Sequence, residues 1–121
     1  MSLHLRYRLW IAEMNYDINV LRIFEDYLVE LADKKNEEEV KTGVEYFQKQ
    51  FVNFRKEIDE LRHDMHLIKM KLAAYVRQMK QINEKIYESD NHTALKNNYL
   101  TFRKSFEKCK TDFKQFEGQW L

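Results

Sequence analysis

Apolar residues recur at alternating steps of four and three without a miss in Val40, Val44, Phe47, Phe51, Phe54, Ile58, Leu61, Met65, Ile68, Leu72, Tyr75, Met79, Ile82 and Ile86. With 44% of the chain apolar, a run of that length arises by chance at a frequency on the order of 10⁻⁵, so the heptad belongs to the fold. The chain has no Pro, and Gly43 is the only Gly before Gly118. The spacing therefore predicts one continuous helix over residues 37–88, roughly 75 Å long at ~1.5 Å per residue.

Ahead of it, Leu3, Leu5, Tyr7 and Leu9 alternate with His4, Arg6 and Arg8, a strand-like period of two. Leu3, Tyr7, Trp10 and Met14 also share one helical face, and an isolated strand in a helical chain has nothing to pair with unless a second copy supplies it. The helical alternative is favoured. Helix 1 then covers residues 5–35 with a seam of Ile11, Met14, Ile18, Leu21, Leu28 and Ala32. Trp10, Val20, Phe24, Tyr27 and Leu31 widen that seam beyond what one neighbour covers. Asn36 followed by Glu37, Glu38 and Glu39 has the pattern of an N-cap with acidic residues on the positive end of the next helix. The polar run Glu88 to Thr93 supplies the next break. Helix 3 follows over residues 92–117, with Leu95, Tyr99, Phe102, Phe106, Cys109, Phe113 and Phe116 again at steps of four and three and Gly118 as its stop.

The fold class is all-α: an antiparallel helical bundle or coiled coil in a single elongated domain, residues 1–121, with one long central helix flanked by two shorter ones. Short connections place helix 1 against the first half of helix 2 and helix 3 against the second. In that arrangement the Phe residues of helix 2 face aliphatic side chains of helix 1, and Trp10 and Trp120 converge near Glu60 to Met65.

Composition narrows the class further. Charged residues make up 34% of the chain and aromatic residues 14%, which suits a folded, soluble helical protein rather than a disordered one. No apolar run reaches the ~18 residues of a membrane span. The N-terminal stretch lacks a secretory pattern, and the single Cys109 suits a reducing compartment, so a cytoplasmic location is expected.

The net charge of +1 hides an asymmetry. Residues 9–65 carry fourteen carboxylates against eight basic side chains, net −6, whereas residues 66–114 carry eleven basic side chains against five carboxylates, net +6. Lys69, Lys96, Arg103 and Lys110 fall at seam-edge positions where an antiparallel pair would bring like charges together. They form a candidate anion-binding surface, which would bind nucleic acid or another polyanion weakly and without regard to sequence. A second apolar stripe on helix 2, Leu67, Met70 and Ala74, joins the spare Phe24 and Tyr27 edge of helix 1; the two imply either a local three-helix layer or, in the favoured reading, a self-association surface for a second copy of the chain. The leading reading is a non-catalytic scaffold or protein–protein interaction module acting as a homodimer, with a further protein partner that the sequence does not identify.

Candidate chemistry adds little. Glu60-Leu61-Arg62-His63 has the Glu-x-x-His spacing of di-iron bundles, but the heptad turns Glu60 and His63 outward and no second copy of the motif exists. His66 shares that outer side without a third ligand. Cys109 lies on the apolar seam of helix 3, where burial disfavours a thiolate. No Gly-rich phosphate loop or Cys pair is present, so no catalytic, metal or cofactor-binding residue is assigned and no cofactor is expected.

Overall fold

The computed structural model describes residues 2–78 and 90–120. They form three helices and, among the described residues, no strand: α1 Leu3–Lys34, α2 Glu38–Gln78 and α3 Asp90–Gly118. The expected continuation of the central helix over 79–88 lies outside the described residues. Up to Gln78, α2 is unbroken for 41 residues.

Each terminus has a local cause. The Ser2 hydroxyl accepts from the Leu5 N–H at 3.1 Å, and the Ser2 carbonyl accepts from the Arg6 N–H, so α1 starts at Leu3 and the strand-like arm is not formed. Two opposite faces of one helix produce the period of two: Leu3 and Tyr7 are buried, while Leu5 and Leu9 are exposed. At the other end Lys35 is extended and its N–H returns to the Leu31 carbonyl. α2 starts one residue later than the Asn36 cap implies, with the Glu37 carbonyl accepting from Val40 and Lys41. Gly118 does end α3, but not in the left-handed conformation; instead Gln119 and Trp120 close tight turns onto the Phe116 and Glu117 carbonyls.

The heptad of α2 is the core. Val40, Val44, Phe47, Phe51, Phe54, Ile58, Leu61, Met65 and Leu72 are buried, and Ile68 packs against them. α1 runs antiparallel to α2, tied by Arg55 to Glu25 and by Arg62 to Asn15.

The position of α3 corrects the staggered arrangement. Phe116 lies against Phe47, Phe113 against Phe51, and Phe106 and Phe102 against Phe54, so α3 antiparallels the same half of α2 that α1 covers. It also runs parallel to α1, with Trp10 stacked on Tyr99 at 4.7 Å and Phe24 on Phe113 at 4.4 Å between ring centroids. The described residues form a three-helix bundle in which each helix touches both others. The wide stripe of α1 explains the choice, because a lateral α3 buries Phe24, Tyr27 and Trp10, which a staggered one would leave in water. Aromatic side chains therefore meet aromatic partners instead of aliphatic ones, and Trp10 and Trp120 lie toward opposite ends.

Gly43 makes room for one of those rings. A methyl group at this position would overlap the ring of Phe116.

Candidate functional site

Two kinds of feature stand apart from the apolar core: a buried polar layer between α1 and α3, and two outward faces.

The polar layer was missed by the sequence reading, which counted Asp17 and Glu13 only as charge and treated His92 as part of a connecting run. Asp17 is 1% exposed and His92 5% exposed. The Arg103 guanidinium donates to Asp17 Oδ2 through Nη1 at 2.5 Å and Nη2 at 2.6 Å, and lies 5.5 to 5.9 Å from the rings of Phe102, Phe106 and Tyr99. Its Nε sits 3.4 Å from Glu13, an ionic contact without hydrogen-bond alignment. Glu13 in turn accepts from the Tyr99 hydroxyl at 2.5 Å. Desolvation pushes the Asp17 carboxyl up to about 6 against the opposing pull of Arg103. The Tyr99 hydroxyl is raised as well, first by burial and then by its bond to Glu13.

Roughly two to three helical turns nearer the start of α1, the Tyr7 hydroxyl lies 2.6 Å from His92 Nδ1, and Arg6 reaches Nε2 at 3.3 Å. Arg can only donate, so Nε2 accepts, the ring proton sits on Nδ1, and Tyr7 is the acceptor. These groups satisfy one another across the α1–α3 seam, and the arrangement fixes the register of the two helices.

The candidate anion-binding residues are not a single surface. Arg103 is held by Asp17, Glu13 and Glu107, and Lys110 by Glu107 at 2.9 Å while it covers the Phe106 ring. Lys69 is half-buried in the column of α2 that carries Arg55 and Arg62 toward α1, and Lys96 is exposed. The like charges anticipated on the seam are compensated because the acidic helix α1, not a second basic edge, lies beside α3.

The candidate self-association residues also divide. Phe24 packs on Phe113, and the Tyr27 hydroxyl donates to Glu117 at 3.1 Å, so α3 occupies that edge within the chain. Leu67 and Met70 are 40% and 69% exposed.

Among the described residues, two outward features concern a partner. On α1, Leu5, Leu9, Ala12, Tyr16 and Ile23 are exposed, two positions on from the core column and hence on the far side of the helix. Across the bundle, the groove between α2 and α3 holds two depressions of about 280 Å³ each. The first has Leu61 and Phe102 with Glu57, Glu60 and Asp64 on one lip and Asn98, Thr101 and Ser105 on the other. The second continues past Leu67, Ile68, Ala94 and Leu95 to Lys71. Glu57 is raised by partial desolvation first and by the neighbouring Glu60 second.

Glu60, His63 and His66 are all exposed, as their heptad positions require. Among the described residues no group of three or more His, Cys, Asp or Glu side chains comes together to hold a metal ion. Burial pushes the Cys109 thiol up to about 11, which keeps it protonated at neutral pH. No helix among the described residues is long and apolar enough to cross a membrane. No protein family, curated protein or solved structure matches this chain.

Proposed function

We propose that this chain is a non-catalytic helical scaffold, a protein–protein interaction module that associates with further copies of itself and presents its outer faces to protein. The observation that carries this reading is the apolar stripe on the outside of α1, where Leu9, Tyr16 and Ile23 are each at least half exposed although the helix already buries a full heptad on its other side. A helix that only completes a core needs one apolar face, and α1 has two. Burial of the titratable groups in the α1–α3 layer against one another, with Arg103 and Tyr99 answering Asp17 and Glu13, favours a structural role for that layer over a catalytic one.

A photo-crosslinking amino acid placed at Tyr16 in the full chain, expressed in the cells that make it, tests the reading. Crosslinks to protein from Tyr16, and none from the exposed polar position Lys104 on α3, are the expected outcome. An absence of protein crosslinks from Tyr16, Leu9 and Leu67 alike would overturn it.

A further inference from the structure

We draw no further inference here: the strongest candidate, the apolar stripe of Leu5, Leu9, Tyr16 and Ile23 on the outer face of α1, carries none, because the exposed Asp26 and Glu30 balance Arg8 and Arg22 on that face and nothing in the structure shows what covers it.

Discussion

Asp17 occupies a position that the spacing of its own helix assigns to an apolar side chain: Leu3, Tyr7, Trp10, Met14, Asp17, Leu21, Phe24, Leu28 and Leu31 follow one another at steps of four and three. A carboxylate in that column was readable in the sequence as an anomaly, but its partner was not, because Arg103 is brought to it by a tertiary contact between helices far apart in the chain. A buried ion pair loses in desolvation much of what it gains in attraction, whereas removal of one partner strands the other. Arg103→Ala should therefore cost about 3 kcal/mol in urea unfolding at neutral pH. Replacing both residues in an Asp17→Leu, Arg103→Met double variant should leave stability equal to or above that of the unaltered chain, since it restores the apolar column. A double variant less stable than Arg103→Ala alone would mean the pair is a net attraction.

The same carboxyl sets a pH dependence. Its folded value of about 6 lies above the ordinary 3.8, so between those limits the folded chain keeps a proton that the unfolded chain has released. Asp17 thus adds stability below its unfolded value, and this contribution is lost as pH rises through about 6. Carbon-detected NMR of the Asp17 carboxyl should give a midpoint near 6. A midpoint below 3.8 would mean that the attraction of Arg103 outweighs desolvation.

At the scale of elements, the existence of α1, α2 and α3 was legible because three heptad series run without a Pro to interrupt them. His92 falls one heptad step before Leu95, at the start of the same column, and that spacing could have placed it on the buried face instead of in the polar break. Gly43 was different. Within α2 it looks like a weak point, about 1 kcal/mol worse than Ala, and nothing local shows that Phe116 of α3 packs onto it. Gly43→Ala should consequently lower the urea midpoint despite its better helix propensity, because the Phe116 ring must leave its seat beside Phe47. In a Phe116→Ala background the same substitution should stabilise by about 1 kcal/mol. Equal stabilisation in both backgrounds would separate the ring from the glycine.

At the scale of the whole molecule, the heptads specify which faces are apolar but not which half of α2 each shorter helix covers, since one apolar seam offers equivalent positions along its length. The surplus width of the α1 stripe was the clue that a third helix had to lie beside it, and the opposite charges of α1 and α3 were the second clue; the first had been given to a second copy of the chain ahead of a local three-helix layer, and the second to an anion-binding surface. The two arrangements differ in a distance that can be measured. Tyr27 meets Glu117 across the α1–α3 seam, so Gln119 stands level with Val29 of α1. His4 lies some twenty-five residues back along that helix, which corresponds to roughly 40 Å at ~1.5 Å per residue. A staggered chain would instead bring both ends to the middle of α2, within roughly 20 Å, or two interhelical spacings. Both positions are exposed, and His4→Cys with Gln119→Cys in a Cys109→Ser background accepts spin labels without disturbing the polar layer. Pulsed electron paramagnetic resonance on the labelled chain, diluted with unlabelled protein to suppress contacts between copies, should give a single distance near 40 Å. A dominant distance of roughly 20 Å would restore the staggered arrangement.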